Sequence, residues 1–388
     1  MNIAMLVYSH YSRDARVRRY AEALARKGFK VDVICLKENY HAKDKNISLL
    51  KYPLPRRRFG RLWYMVEYFF FSLYSSIILT INYFRKRYKF IHIHNMPDFL
   101  VFSSIIPKIF GAKVILDMHD PMPELYMSKF HVLENDLMVK WLKWFEKISI
   151  SFADQVITAN PEFKIIFISR NPQFADKITI ILNCPDPRIF KNSKFEIRNS
   201  KFTLMYMGTV EKRFGLDIAV DAIPILVKKI PNIKFLIIPK LEEEGEYLVN
   251  LKLEASNLKL EKYIQFLEPL PLEKIADKLQ EADIGVVLAR NGIFTQIIFP
   301  VKLLEFIQMG IPVIATRTKV LSQYFNDKMI YFLEKNNSGE FSKAVLKLFK
   351  YKKAGTDLAN NAKFYLKKNN WPNEEKKYLE LISTISTH

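Results

Sequence analysis

The chain has 388 residues, of which 49% are hydrophobic, 14% are aromatic and two are cysteine. This length exceeds one ordinary core and predicts two domains, and the apolar content excludes a disordered protein. Cys35 and Cys184 are too far apart in sequence to indicate a metal site or a disulfide framework, so a cytoplasmic protein is expected. The formal charge of +20 predicts an anionic partner or surface.

In the first half of the chain, short apolar runs alternate with segments of helical period. This alternation predicts a parallel, doubly wound sheet. The predicted strands lie near 2–8, 30–36, 89–93, 113–117 and 154–159, and the predicted helices near 14–27, 97–110, 134–151 and 161–169. The polar, proline-containing segment 183–201 interrupts the alternation, so the first domain is predicted to cover 1–190.

The same alternation restarts after this segment and predicts a second domain over 191–370. Its predicted strands lie near 202–206, 233–238, 262–265, 283–288 and 311–315, and its predicted helices near 215–229, 271–281 and 300–309. The chain from 338 onward is helical, and a last helix at 371–388 is expected to pack on the first domain. The predicted fold class is α/β, with two Rossmann-like domains facing a cleft at the carboxyl ends of their strands.

A glycine-containing loop follows the first strand of the second domain, in MGTVEKRFGLDIAV at 207–220. Gly208 permits close approach of a ligand to the backbone. Lys212, Arg213 and the N-terminus of the following helix favour a phosphate. The alternative is an ordinary solvated turn.

A short helix and a buried strand are predicted in FPVKLLEFIQMGIPVIAT at 299–316, with Pro300 at the start and Gly310 at the end of the helix. Lys302 lies in the first turn, where a cation costs about 0.3–1 kcal/mol beside the positive end of the helix. A bound phosphate removes that conflict, and Glu305 then suits a ribose diol. The alternative is a surface ion pair worth about 0.2–0.5 kcal/mol.

These two segments, together with HNMPDFLVFSS, ILDMHDPMPELY and ILNCPDPRIF, resemble the retaining nucleotide-sugar glycosyltransferases of family 4, which have the GT-B architecture. The resemblance runs in order from residue 1 to about residue 330. It implies a hexosyl- or N-acetylhexosaminyltransferase that uses a nucleotide-diphospho-sugar, expected to be UDP-linked. The implied acceptor is a glycan or a polyprenyl-linked sugar in polysaccharide or glycolipid assembly.

The resemblance also implies roles for individual residues. The implied donor-binding residues are Gly208, Thr209, Lys212, Arg213, Phe266, Leu267, Pro300, Val301, Lys302, Leu303 and Glu305. The implied catalytic residues are His119, Arg213 and Lys302, and the implied acceptor-binding residues are Arg13, Arg16 and Asp120.

Two positions depart from the family pattern. Ile297 stands where an acidic residue usually precedes the ribose glutamate, and Thr209 stands where an arginine usually follows the phosphate-loop glycine. The second departure leaves the diphosphate to Lys212, Arg213 and Lys302.

The sequence shows no carboxylate pair of the kind that a retaining hydrolase uses. Front-face transfer is therefore expected, in which cations and helix N–H groups stabilise the leaving diphosphate and its oxygen takes the acceptor's proton. This chemistry requires no metal and no other cofactor. The alternatives are a nucleotide-sugar epimerase of the same architecture and a noncatalytic sugar-nucleotide-binding subunit. Nucleic-acid binding is not expected, because the aromatic residues are not interleaved with basic ones as in an RNA-binding module.

The segment 62–84 is long and apolar enough to span a bilayer. Glu67 interrupts it, and both flanks are basic, with Arg56, Arg57, Arg58 and Arg61 before it and 85–87 after it. An interfacial helix is therefore predicted, which holds the protein on the anionic inner face of a membrane through 56–87. The alternative is a core helix with a dimer contact, and the sequence leaves the oligomeric state open.

Overall fold

The computed structural model describes residues 1–54, 60–191, 201–240 and 245–387. The chain forms two compact units, one of Met1–Asn183 with Pro372–His388 and one of Cys184–Trp371. The chain passes from the first unit to the second inside the segment ILNCPDPRIF, and it returns to the first unit at the start of the last helix.

The first unit contains a seven-stranded parallel sheet in the order β3-β2-β1-β4-β5-β6-β7. Its strands are β1 (Asn2–Leu6), β2 (Lys30–Leu36), β3 (Ile47–Tyr52), β4 (Phe90–His94), β5 (Lys113–Met118), β6 (Gln155–Thr158) and β7 (Ile178–Ile180). The sequence predicts the five inner strands, because strands buried on both faces read as continuous apolar runs. It misses β3 and β7, which lie at the edges of the sheet and are partly exposed.

Six helices of the first unit connect these strands. They are α1 (Ala15–Arg26), α2 (Gly60–Lys86), α3 (Ile105–Ile109), α4 (Met122–Phe130), α5 (Leu137–Phe152) and α6 (Pro161–Arg170). The segment predicted as one helix at 97–110 is helical, but it is divided into a 3-10 segment at Asp98–Ser104 and a short α3. Ser104 Oγ donates to Val101 O at 2.7 Å, a local bond that competes with regular helix.

The long helix α2 packs one face on the sheet. Phe71 and Leu79 are fully buried, and Glu67 points inward, where its carboxylate accepts a hydrogen bond of 2.9 Å from Tyr8 Oη. Over Met65–Lys86 this helix is long and apolar enough to cross a membrane, with a mean hydropathy of 1.3, although core helices of soluble proteins meet the same criterion. Arg56, Arg57 and Arg58 lie outside the described residues, and the side chain of Arg61 is also outside the description.

The second unit contains a six-stranded parallel sheet in the order β10-β9-β8-β11-β12-β13. Its strands are β8 (Phe202–Gly208), β9 (Ile233–Pro239), β10 (Ile264–Phe266), β11 (Ile284–Val287), β12 (Val313–Thr316) and β13 (Tyr331–Leu333). Its helices are α7 (Asp217–Val227), α8 (Glu246–Asn257), α9 (Leu272–Leu279), α10 (Val301–Met309), α11 (Lys319–Tyr324), α12 (Ser338–Lys350) and α13 (Lys352–Lys368). The prediction of two doubly wound parallel sheets is therefore confirmed.

The last helix, α14 (Trp371–Thr387), packs on the first unit. Tyr378 Oη lies 3.0 Å from His92 Nδ1 of β4, and its ring lies 4.3 Å from that of Tyr20 in α1. The buried Glu374 carboxylate accepts a hydrogen bond of 2.8 Å from Leu182 N. The first unit is thus built from both ends of the chain.

Candidate functional site

Gly208 ends β8 at the point where the order of the second sheet reverses, between β8 and β11. Its φ of +119° lies in the region that favours glycine, and a Cβ placed there would lie 3.5 Å from Lys302 Nζ. The loop after β8 and the start of α10 therefore face each other across a space that a side chain would narrow. The two segments predicted to form one site are brought together.

Aromatic rings surround the ammonium group of Lys302. Its Nζ lies 3.8 Å from the ring centroid of Tyr206 and 5.1 Å from that of Phe214. The pKa of Lys302 is lowered to about 7. Burial causes this shift, and the charge of Glu305, one turn further along α10, opposes part of it. A desolvated lysine of this kind binds an anion favourably, because a nearby negative charge stabilises its protonated form.

Helix α10 begins and ends as the sequence predicts, although Pro300 is its N-cap rather than its first residue. Gly310 terminates the helix in the left-handed conformation, with φ of +77°. Leu303 N donates to Pro300 O at 3.0 Å, so this amide, which was predicted to face the donor, is already engaged within the turn. The backbone N–H groups of Val301 and Lys302 belong to the first turn, where helices attract anions.

A glycine in β11 sets the distance of α10 from the sheet. A Cβ at Gly285 would lie 2.5 Å from a ring carbon of Phe306, a separation that real side chains do not tolerate. The buried ring of Phe306 thus sits directly on the strand, and Gly285 allows the approach that positions Lys302.

Arg213 lies in the loop after β8 and forms an ion pair with Glu211. Its guanidinium carbon lies 5.0 Å from the ring centroid of Phe214, and its Nε is buried without a hydrogen-bond partner in the described part of the chain. Lys212, the neighbouring candidate, is exposed. Arg213 is therefore held in place and retains an unsatisfied donor.

The sequence analysis missed Arg290, which follows β11. It pairs with Asp217 at the start of α7, and Arg290 N donates to Arg213 O at 2.7 Å. These contacts tie the loop after β11 to the loop after β8. No signal in the sequence indicates it, because the contact depends on β8 and β11 being neighbours in the sheet, and strand order is known only from the structure.

Two other donor candidates have backbone groups that the fold already uses. Leu267 N donates to Ile237 O at 2.8 Å and extends the pairing of β10 with β9, so this amide is not free to contact a base. Thr209 O accepts a hydrogen bond from Tyr206 Oη. The side chain of Phe266 packs against the core of the second unit and lies 5.9 Å from Lys252 Nζ.

In the first unit, His119 follows β5 at the carboxyl edge of the sheet. Its backbone N donates to Asn95 Oδ1 at 3.0 Å, and its Nδ1 lies 3.6 Å from Asp120 Oδ2. Burial alone would lower the His119 pKa, but the adjacent Asp120 carboxylate raises it above the ordinary value. This pairing favours the protonated form of His119 at the edge of the sheet.

Arg16 was predicted to meet an acceptor phosphate, but its side chain is only 5% exposed. Its Nε and Nη2 donate to the two carboxylate oxygens of Asp117 at 2.7 and 2.8 Å, and its Nη1 donates to Ile181 O at 3.1 Å. The correction follows from this geometry: the guanidinium neutralises a buried carboxylate and is not presented to a ligand. Arg13 lies in the loop after β1, where its backbone N donates to His10 O at 3.2 Å.

Two buried histidines adjoin this ion pair. His94 Nδ1 lies 2.9 Å from Asp117 Oδ2, and ligand atoms of His92, His94 and Asp117 lie within 4.8 Å of one another. Both oxygens of Asp117 already bond Arg16, so a metal cation here would place more positive charge beside a buried guanidinium. The cluster is best described as a buried ion pair flanked by imidazoles.

Two parallel, doubly wound sheets with candidate ligand loops at their carboxyl edges define the GT-B class of two-domain α/β proteins. Solved structures of this class match nearly the whole chain. Sucrose-phosphate synthase from Thermosynechococcus elongatus aligns with a TM-score of 0.75 and 15% identity over 99% of each chain. HepE from Anabaena, in complex with UDP-glucose, aligns with a TM-score of 0.72 and 14% identity over 99% of this chain and 100% of that one.

Family models cover almost the same length. The model for Glycosyltransferase Family 4 matches residues 15–188, and the model for Glycosyl transferases group 1 matches residues 187–364. The chain belongs to the group 1, family 4 glycosyltransferases and is a glycosyltransferase.

Two relatives share low sequence identity with this chain. The GPI3 subunit of the phosphatidylinositol N-acetylglucosaminyltransferase of Saccharomyces cerevisiae is 20% identical over 325 residues, which cover 82% of this chain and 67% of the yeast protein. A subunit of the phosphatidylinositol N-acetylglucosaminyltransferase of Arabidopsis thaliana is 21% identical over 251 residues, which cover 64% of this chain and 52% of the plant protein.

Proposed function

We propose that this glycosyltransferase moves a hexosyl or N-acetylhexosaminyl group from a UDP-sugar to a lipid-linked acceptor, with retention of anomeric configuration. The observation that carries the donor assignment is the position of Lys302. Its ammonium group lies beside Gly208 at the carboxyl end of β8, above the ring of Tyr206. A diphosphate in this space would meet a cation, a backbone that approaches closely, and the first turn of α10.

During transfer the site must stabilise the nucleoside diphosphate that leaves the sugar. Departure of the nucleoside diphosphate develops negative charge on a phosphate oxygen, and Lys302 and Arg213 stabilise that charge in the transition state. The same oxygen accepts the proton of the attacking hydroxyl, so no protein base is required. Glu305 holds the ribose, and His119, with its raised pKa, donates to the transferred sugar. Neither a metal ion nor another cofactor takes part.

The acceptor assignment rests on two supports. The distant relatives are named for transfer of N-acetylglucosamine to phosphatidylinositol, which is a lipid. In addition, α2 turns a long apolar face to solvent, which suits a protein that works at a membrane. We therefore place the enzyme on the cytoplasmic face of a membrane, where it builds a glycolipid or a lipid-linked polysaccharide precursor.

Sugar transfer from a panel of nucleotide sugars, with the product's anomeric configuration read by NMR, tests this proposal. We expect Lys302→Met to lower kcat by about 10²–10³, the scale of losing one transition-state donor. Lys278→Met is the matched control, since Lys278 pairs with Glu281 on the surface of the second unit, and it should leave turnover unchanged. Near-normal turnover of Lys302→Met would overturn the donor assignment.

The same assay separates the alternatives. Conversion of the nucleotide sugar without an acceptor would identify an epimerase, and tight nucleotide binding without any turnover would identify a noncatalytic subunit. An inverted product would refute front-face transfer while leaving the donor site in place.

A further inference from the structure

Helices α2, α3 and α5 lie on the same face of the first sheet. The crossovers from β3 to β4, β4 to β5 and β5 to β6 all run in one direction across the sheet, and right-handed crossovers of one direction place their helices on one face. Each of these helices turns large apolar side chains to solvent. On α2 the exposed residues include Phe69, Phe70, Leu73, Ile77, Ile81 and Phe84.

Aromatic contacts join the helices into one continuous surface. The ring of Phe99, in the 3-10 segment between α2 and α5, lies 6.4 Å from Tyr68 of α2 and 5.3 Å from Phe145 of α5. The ring of Trp144 lies 5.0 Å from that of Phe145 and continues the surface along α5. The apolar face therefore extends well beyond the single helix that the sequence indicates.

Helix α5 has the residue pattern of an interfacial helix on its outer side. Leu137, Trp141 and Trp144, at positions i, i+4 and i+7, are 73%, 56% and 49% exposed. Lys140 and Lys147 are exposed beside them. Tryptophan and lysine together are typical of the boundary between acyl chains and headgroups, where an amphipathic ring and a cation are both accommodated.

The contacts on the inner face of α2 show whether this helix can leave the unit to cross a membrane. Phe71, Ser75 and Leu79 are fully buried against the unit, and Glu67 is bonded to Tyr8. If α2 left the unit to span a bilayer, these buried side chains would become exposed and the hydrogen bond between Glu67 and Tyr8 would break. The helix therefore stays packed on the unit and lies parallel to the membrane surface. Because Glu67 points inward, the outer face of α2 presents no carboxylate between Trp63 and Phe84.

We propose that the outer face of α2, α3 and α5 is one docking surface for an anionic phospholipid bilayer, with Trp141 and Trp144 as its second anchor. This deepens the membrane location given under the proposed function and rests on it. Charge favours lipid over a second copy of the chain. Arg85, Arg87, Lys140 and Lys147 border the surface and are exposed, so a self-complementary dimer would bring like charges together, whereas anionic headgroups neutralise them.

Flotation with phosphatidylcholine vesicles, with and without phosphatidylglycerol, tests the proposal on the full chain. We expect binding that increases with phosphatidylglycerol, and a loss of about tenfold or more in the partition coefficient for Trp141→Ser/Trp144→Ser. Phe364→Ser is the matched control, because Phe364 is an aromatic residue of the second unit that is 64% exposed. Equal binding of the double variant and the wild type would overturn the role of α5.

Intrinsic fluorescence gives a readout that does not depend on affinity. The chain has four tryptophans, and Trp371 is buried while Trp63, Trp141 and Trp144 are exposed. In Trp63→Phe, brominated phosphatidylcholine should still quench the tryptophan fluorescence, because Trp141 and Trp144 reach the boundary between headgroups and acyl chains. Absence of quenching in that variant would contradict the proposal.

Three further measurements separate this proposal from the others. UDP binding in solution should be the same in the double variant and the wild type, which shows that the second unit is intact. Sugar transfer by a wild-type protein that fails to bind vesicles would overturn the docking surface and leave the proposed activity standing. A lipid-free dimer that the double variant dissociates, without vesicle binding, would assign this face to a second copy instead.

Discussion

The hydroxyl group of Tyr378 lies 3.0 Å from Nδ1 of His92, so the last helix of the chain is bonded to a central strand of the first sheet. Both side chains are fully buried. Residues 286 positions apart thus share one core, and the first unit is complete only when the chain has returned from the second.

Substitution of Tyr378 measures how strongly this helix stabilises the first unit. Tyr378→Ala should lower the free energy of unfolding of that unit by about 3–5 kcal/mol, as for other buried aromatic residues. Tyr378→Phe should cost about 1–3 kcal/mol, because it leaves a buried imidazole nitrogen without its partner. Urea unfolding followed by tryptophan fluorescence reports mainly on this unit, because three of the four tryptophans, Trp63, Trp141 and Trp144, belong to it. A cost below about 1 kcal/mol for the alanine variant would show that α14 contributes little.

Burial of His92 and His94 predicts the pH dependence of the first unit. Burial lowers the pKa of both imidazoles, and the charge of His94 lowers that of His92 further, so folding favours the neutral form of both side chains. In the unfolded chain they take up protons near pH 6.5. The unfolded state therefore binds more protons as the pH falls below this value, and the unit loses stability by up to about 1.4 kcal/mol per pH unit for each histidine.

Unfolding titrations between pH 7 and pH 5 check this slope. His92→Phe should reduce it, whereas His41→Gln, at an exposed position, should leave it unchanged. The contribution of Asp117 to the stability of the unit changes only at lower pH. Although burial opposes its ionisation, Arg16 holds the Asp117 pKa well below its usual value, so its contribution is lost only in stronger acid. An equal slope in wild type and His92→Phe would contradict the assignment.

The contrast between central and edge strands explains how much of the fold could be predicted. Central strands such as β1 and β8 are buried on both faces and leave apolar runs that periodicity detects. The strands β7 and β13 lie at the edges of their sheets, are three residues long and each pair with a single neighbour. Local pattern carries no information about that pairing.

The same limit applies to the candidate site. Gly208, Lys302 and Glu305 were predicted because they match family motifs, and the structure brings Gly208 and Lys302 close together. Arg16 was misassigned because its partner, Asp117, is 101 residues away, and nothing near Arg16 indicates a buried ion pair. Arg290 was missed for a related reason, since its contact with Arg213 depends on the order of strands in the sheet.

The lowered pKa of Lys302 predicts that binding of UDP is accompanied by proton uptake. With a pKa of about 7 in the free protein, most Lys302 side chains are neutral at pH 8. A bound diphosphate raises the pKa, so up to one proton enters with the ligand. Calorimetry at pH 8 in buffers of different ionisation enthalpy measures this uptake. Lys302→Met should abolish it, and uptake that survives in that variant would locate the proton elsewhere.

The stability of the free second unit gives an independent check on Lys302. An unfolded lysine keeps its proton up to about pH 10.4, whereas folded Lys302 loses it near pH 7. The unfolded state therefore binds more protons between these values, and the free energy of unfolding should rise with pH across that range. This rise should be smaller in Lys302→Met. An unchanged pH profile would mean that the lysine is not desolvated in the free protein.

Gly285 offers a test of whether the placement of α10 matters for the donor site. Gly285→Ala would bring a methyl group within 2.5 Å of the Phe306 ring and must push α10 away from the sheet. We expect a loss of about 1–3 kcal/mol in stability, the usual cost of overpacking a core, together with weaker UDP binding because Lys302 moves with the helix. Gly245→Ala is the matched control, since a Cβ at Gly245 meets no atom of the described residues within 4 Å. Combining Gly285→Ala with Phe306→Leu relieves the clash and should restore part of the UDP affinity. Weakened binding in both the control and the combined variant would show that the effect does not pass through α10.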